Sequence, residues 1–568
     1  MEAHMRKSYL AVLVLTAALA GALLVPPATS AQNTGWPFYG GDPGNTHWSA
    51  LSQISTSNVH KLKAAWVLQL GTLRSQESTP LVVGDTLYVT SSFGPKHVFA
   101  VDARTGELRW RHDREIAADV DPYGCCDVNN RGAAYANGKL FVGLLDGRLT
   151  ALDARTGKEL WTTTVVDYKE GAVITSPPVV AKKNVIIGFG GGEYGVRGAL
   201  QAYDADSGAL VWRTYLVPGP GEPGNDTWKG DSWKTGGGAA WALGSYDPQQ
   251  NLVFYGTSNP GPWNAAVRGP DKSDYGDFTN LYTSSSVALD ADTGKIVWHY
   301  QSTPHDAWDY DGVNELLVAD LTLQGQKTPV VLKGDRNGFF YVINRQTGKL
   351  ISAKAFQYIT WASGVDMTTG RPIENESMRP RQGYRAKGVC PAAIGAKNWM
   401  PMALNPKTGI VFLPTFNLCM DMEFVAQEYK RGAFYLGADF EIGKPGPGGF
   451  MGEAIAWDPV KQQALWRNKE ALPYVGGMLA TDGGLVFHGN TEGWFKALDQ
   501  KTGRLLWKFY TGSGIHAGPM TYTIDGKQYI AVVSGRTHSI PPFFGETGRK
   551  MIEASAEGGA LFVFSLSD

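Results

Sequence analysis

"ALDARTGKELW", Ala151–Trp161, is the stretch whose reading decides the fold. Its first half alternates apolar and polar positions as a strand does. Asp-x-x-Thr-Gly then supplies a turn, in which Asp bonds to turn amides and Gly accepts a positive φ. The chain returns as a second strand ending on Trp161, an indole large enough to seal one unit against the next. The same motif reads "AVDARTGELRW" (Ala100–Trp110), "AYDADSGALVW" (Ala202–Trp212), "ALDADTGKIVW" (Ala288–Trp298) and "ALDQKTGRLLW" (Ala497–Trp507). Two copies are degraded, "VINRQTGKLIS" from Val342 and "AWDPVKQQALW" from Ala456. The first three copies stand 51 residues apart. Units of that length containing strands predict a β-propeller. Seven copies are visible, and two half-repeats, "HKLKAAW" and "GGALFVFSL", supply an eighth blade by pairing across the termini. The expected fold is all-β: an eight-bladed β-propeller with tryptophan-docking repeats and loops capping one face. No linker interrupts it, so residues 32–568 are expected to form a single domain.

Outside the repeats, Arg6 and Lys7 precede the apolar run "YLAVLVLTAALAGALLV", which ends in Pro26-Pro27 and the small residues Ala28–Ala31. This pattern predicts an export signal over residues 1–31 rather than a membrane anchor, and hence a periplasmic protein with no membrane span once the signal is removed. Export permits disulfides. The formal net charge of −1 lacks the basic excess of a phosphate-binding surface, so nucleic acid is not an expected partner.

A propeller does not specify function, so the segments between repeats must. "DPYGCCDVNNRGAAY" places Cys125 beside Cys126 in a chain with only two other cysteines. Adjacent thiols can stay free, bind a metal, or bond to each other. "GGGEYGVRG" offers Glu193, "GTSNPGPWN" offers Asn259, and "TPHDAWDYDGVNE" offers Asp309 and Asp311. All four are hard oxygen donors suited to calcium or a larger trivalent ion, although each residue taken alone also serves in a turn.

Together, the tryptophan repeats, the vicinal cysteines and these segments resemble the pyrroloquinoline quinone (PQQ)-dependent alcohol dehydrogenases, the methanol and ethanol dehydrogenase family. The likeness runs from "DPGNTHWSALSQI" to "GGALFVFSL". It implies PQQ on the propeller axis, with a Cys125–Cys126 disulfide ring against one face and Trp241 of "GGGAAWALG" against the other. It also implies a structural disulfide between Cys390 and Cys419. Glu77, Arg131 and Thr175 match residues that bind the cofactor's carboxylates and polar edge, Arg131 through a planar fork. Gly191 and Gly192 match backbone donors, and Asn398, Trp399 and Trp494 match the cofactor's rim. Glu193, Asn259 and Asp309 match the metal ligands. Arg336 of "GDRNGFF" matches the cation beside the reactive oxygen, and Asp309 the base that takes the alcohol proton.

Asp311 carries the metal preference. Calcium-using methanol dehydrogenases have Ala at the matching position and lanthanide-using relatives have Asp, so the resemblance favours a lanthanide(III) ion over Ca2+. Two departures bear on substrate. "SGRTHSIPPFFGETG" stands where the family often has Gly-Gly-Trp, so His538, Pro541, Phe543 and Phe544 are expected to build a roomier wall than methanol needs. Gly190 replaces a serine that commonly touches PQQ. A primary or secondary alcohol bulkier than methanol is the expected substrate. No C-x-x-C-H haem motif is present, which points to a separate periplasmic cytochrome c as electron acceptor. The resemblance also allows a homodimer. The rival readings are a cofactor-free scaffold propeller of the outer-membrane assembly type, which leaves the cysteine pair and the donors without a purpose, and a metal-dependent hydrolase.

Overall fold

The computed structural model describes residues 33–539 and 541–567; the expected export signal lies outside them. Among those residues, strands form eight sheets of four antiparallel strands each, one of them extended by a short fifth strand, consistent with an eight-bladed propeller. The motif explains each outer hairpin. In the second blade, Ala151 faces Trp161 across the pair, and a one-residue shift then sets Leu152 opposite Glu159. The same Ala–Trp pairing and shift recur at Ala100–Trp110, Ala202–Trp212, Ala288–Trp298, Ala456–Trp466 and Ala497–Trp507. The motif's small residue is therefore the one that faces the indole-bearing position.

Each indole docks on the following blade. Trp110 donates from Nε1 to the carbonyl of Ala154 at 3.0 Å, and its ring lies so close to Gly157 that a Cβ there would meet Cε3 at 2.5 Å. Trp161 does the same to Ala205 and Gly208, and Trp212 to Ala291 and Gly294. The turn glycine thus serves twice, once for its positive φ and once for the missing side chain. The degraded fifth repeat pairs Val342 with Ser352 and has no indole to give. Phe340 and Trp457, with ring centroids 5.8 Å apart, fill that seam instead.

The ring closes as the half-repeats predict. Leu62–Gln69 pairs antiparallel with Ala560–Leu566, so both ends of the described chain share one blade. Trp507 reaches across this seam to the carbonyl of Leu62 at 3.1 Å. The long intervals build a roof on one end. It contains a hairpin of Ala362–Asp366 with Arg371–Glu374, and a three-stranded sheet of Ala386–Val389, Leu418–Phe424 and Ala438–Pro445. The Cys390–Cys419 disulfide ties the end of the edge strand Ala386–Val389 to the central strand Leu418–Phe424, and the helix Gly545–Glu553 is fastened to the sheet by Thr547 Oγ1 donating to Gly443 O at 2.8 Å. No helix among the described residues is long and apolar enough to cross a membrane.

Candidate functional site

Under the roof lies a cavity on the propeller axis. Cys125 and Cys126, bonded to each other, stand in its wall, and so does Trp241. The cysteine loop is anchored from behind: Arg74 pairs with Asp127 at 3.1 Å, and Ser75 Oγ also bonds Asp127. Arg131 follows on the same loop. Its guanidinium donates to Thr175 Oγ1 at 2.6 Å, pairs with Glu77 at 2.9 Å, and lies over the rings of Trp399 at 4.6 Å and Trp241 at 5.2 Å. Burial pushes Glu77 up to about 7, with Arg131 opposing it. Asn398 holds the rim by accepting from its neighbour Trp399 N and donating to Ile394 O.

A crowd of buried acids adjoins this cavity. Asp311 is fully buried; it accepts from Asn259 N at 2.6 Å and Trp241 Nε1 at 2.9 Å, and pairs with Arg336 at 3.2 Å. Asp309 stands 3.4 Å from Arg336 with a left-handed φ of 64°. Glu193 sits in the turn Gly192–Tyr194, which Gly191 enters at φ 115°. Burial raises all three carboxyls, Glu193 to about 7, and their mutual repulsion adds to it. Arg336 is the one guanidinium paired with them, so three ionised carboxylates would leave an excess of two negative charges. The side-chain oxygens Asn259 Oδ1 and Asp309 Oδ1 are buried without a hydrogen-bond partner. Unpaired hard oxygens with surplus negative charge are the donor set that a highly charged, oxygen-seeking cation requires. The set is gathered but not closed: among the described residues no three acidic, His or Cys side chains converge as a finished metal cage, and Asp311 has its oxygens turned to Asn259, Trp241 and Arg336.

A second chamber shares Cys125, Cys126, Glu193 and Arg336 with the first and adds Asp309. Its remaining wall is apolar: Trp263, Ile394, Phe434, Phe440, Ile442 and Phe543 are prominent in it. The two chambers meet at the Cys125–Cys126 pair, Glu193 and Arg336.

The structure brings most of the sequence-derived residues together, with differences. Glu77 stands behind Arg131 and does not line the cavity. Gly192 faces Ser258 Oγ and Asn259 Oδ1, whereas Gly190 and Gly191 line the cavity. Trp494 lines neither chamber: its ring packs on Tyr510 at 5.1 Å with Lys508 Nζ 4.1 Å from its centroid. Of the expected substrate wall, Phe543 reaches the chamber, Phe544 packs against Gly443, and His538 turns to Glu557 at 3.2 Å. Sequence reasoning missed Asp127 and Asn129, although both lie inside the quoted cysteine loop, Ser539, although it lies inside the quoted "SGRTHSIPPFFGETG" segment, and Tyr474, which carries no local signal. It also missed the aromatic wall of the second chamber, because Phe434 and Phe440 come from a stretch with no repeat.

Comparisons with known proteins identify the family. Residues 36–354 and 450–530 match the family described as "PQQ: Glucose/ethanol/alcohol dehydrogenase, beta-propeller domain". The lanthanide-dependent methanol dehydrogenase of Methylacidiphilum fumariolicum (strain SolV) is 42% identical, over 94% of this chain and 92% of that protein. The quinoprotein alcohol dehydrogenase PedH of Pseudomonas putida is 43% identical, over 91% of this chain and 89% of that one. Among solved structures, a europium-containing methanol dehydrogenase superposes with a TM-score of 0.89 at 41% identity, covering 94% of this chain and 98% of the other. The chain belongs to the PQQ-dependent alcohol dehydrogenase family.

Proposed function

We propose that this member of the family, with residues 32–568 as its one domain, is a periplasmic enzyme that oxidises a primary or secondary alcohol bulkier than methanol to the aldehyde or ketone. Electrons pass to a separate cytochrome c. The observation that carries the substrate reading is the apolar second chamber, whose floor is formed by Asp309, Glu193 and Arg336.

In this reading PQQ would be held in the first cavity by Trp241 and the Cys125–Cys126 pair, with Arg131, Thr175, Asn398 and Trp399 as its further partners. Glu193, Asn259, Asp309 and Asp311 hold the metal, for which four oxygen donors and three carboxylates favour a lanthanide(III) ion over Ca2+. When bound, PQQ supplies the hydride acceptor and the metal the charge that polarises it. The chain's own residues do the rest. The aromatic wall holds the alcohol's body and excludes water from the reacting carbon. Asp309 takes the hydroxyl proton, because it lines the substrate chamber and stands 3.4 Å from Arg336. Arg336, fixed by the carbonyls of Asp309 at 3.1 Å and Ala393 at 3.2 Å, keeps positive charge at the junction of the chambers. A scaffold role would leave these buried acids and the paired chambers unexplained.

Dye-linked alcohol oxidation by apo-protein reconstituted with PQQ and either lanthanum or calcium tests the reading. Activity should appear with PQQ, be higher with lanthanum, and favour alcohols with larger apolar bodies. A strict preference for methanol would reject the substrate assignment, and equal or better activity with calcium would reject the metal assignment.

A further inference from the structure

Residues 425–437 leave the roof sheet after Phe424 and return to it at Ala438, and their path is pinned along one side of the substrate chamber. Arg431 pairs with Asp167 at 3.2 Å and Glu170 at 2.7 Å, both on the connection that follows the second blade. Gly432 passes so near that connection that a Cβ would lie 2.5 Å from Lys169 O. Tyr435 N donates to the carbonyl of Glu193 at 2.7 Å. Within the segment, Gln427 accepts from Gly437 N and donates to Phe434 O, each at 2.7 Å. Phe434 then stacks on Tyr194 with centroids 4.7 Å apart, and Tyr194 donates to Pro122 O at 3.2 Å in the loop that carries the cysteine pair.

Phe434 is the consequence of these pins. It lines the chamber yet stays 41% exposed, so one part of the ring faces substrate space and another faces solvent at the mouth. The pins themselves are a backbone bond, the two Gln427 side-chain bonds and an ion pair whose side chains are 62%, 51% and 44% exposed. Such a pair is weak and sensitive to salt. We propose that Phe434 is a specificity-determining residue for the oxidation, and that Arg431 is the latch that positions it. The proposal rests on the alcohol-oxidation reading. A two-carbon alcohol can meet Asp309 without reaching the mouth, whereas a longer apolar alcohol must lie along Phe434.

The test compares kcat/KM for ethanol and 1-hexanol in the PQQ- and metal-loaded full chain. Phe434→Ala should lower the hexanol value about tenfold, mainly through KM, and change the ethanol value less than about twofold. Phe434→Leu should restore most of the loss. Arg431→Ala should shift the ratio the same way by about threefold, and about 0.5 M salt should reproduce that shift in the unaltered chain. A hexanol-to-ethanol ratio unchanged in both Phe434→Ala and Arg431→Ala overturns the proposal. So does equal loss on both alcohols, which would report damage to the Glu193 turn instead of selectivity. If the unaltered, loaded chain oxidises neither alcohol, the enzyme reading falls and this proposal falls with it, before any variant is compared.

Discussion

Asp311 makes three contacts that a turn-capping aspartate would not need: Asn259 N, Trp241 Nε1 and Arg336. It therefore positions one wall of the cofactor cavity and the junction cation, and it adds the third negative charge to the donor set. Asp311→Asn keeps an acceptor for Trp241 but removes that charge. The variant should lose lanthanum-supported activity at least about tenfold relative to calcium-supported activity, as measured by metal titration of the apo-protein; an unchanged ratio would limit Asp311 to positioning. His516 offers a pH test away from the metal. It is buried edge-on to Tyr474 at 5.2 Å, and burial lowers it from 6.5 to about 3. Below pH 6.5 the unfolded chain takes up a proton that folded His516 refuses, so the unfolded state binds more protons and stability falls as pH drops. The group's contribution is complete above pH 6.5 and declines towards pH 3, by up to about 1.4 kcal/mol per pH unit. Unfolding midpoints measured between pH 6.5 and 4 should fall less steeply for His516→Gln than for the unaltered chain. Parallel slopes would show that His516 is protonated in the fold.

At the scale of elements, the indole and the next blade's turn glycine act as one joint. Gly157 carries a φ of 70° and would bring a Cβ to 2.5 Å from Trp110, whereas Gly138, at φ 77°, would meet nothing within 4 Å. Alanine at either position strains the backbone by about 1 kcal/mol, but only Gly157→Ala must also displace an indole. Thermal unfolding should therefore show a clearly larger loss of Tm for Gly157→Ala than for Gly138→Ala; equal losses would mean that the Trp110 joint is slack. This is also why the fold was so legible. The Ala that faces the Trp, the Asp that bonds the turn amides and the Gly beneath the next indole form a physical unit, repeated with little change. The fifth blade is legible only as a damaged copy, because Phe340 and Trp457 come from different strands and leave no shared signature.

For the whole molecule, closing the ring between Leu62–Gln69 and Ala560–Leu566 fixes eight blade ends around one axis, and loops distant in sequence meet there. The reach of the likeness ended at that meeting. The charged and cysteine residues gathered there each sit in a distinctive short segment, which made them visible in the sequence. Trp494 stood in such a segment too, yet the start of its strand points it at Tyr510 and Lys508. The apolar chamber had no signature, since its wall is collected from separate loops whose hydrophobic residues look like any others. The central claim is that the cavity walled by Cys125–Cys126, Arg131 and Trp241 is built for PQQ. It is tested most directly by incubating the full chain with PQQ and lanthanum, removing free cofactor, and measuring retained PQQ per chain by absorbance. One PQQ per chain is predicted, with retention greatly reduced in Trp241→Ala and Arg131→Ala chains that still fold. No retention by the unaltered chain, or full retention by both variants, would contradict the account.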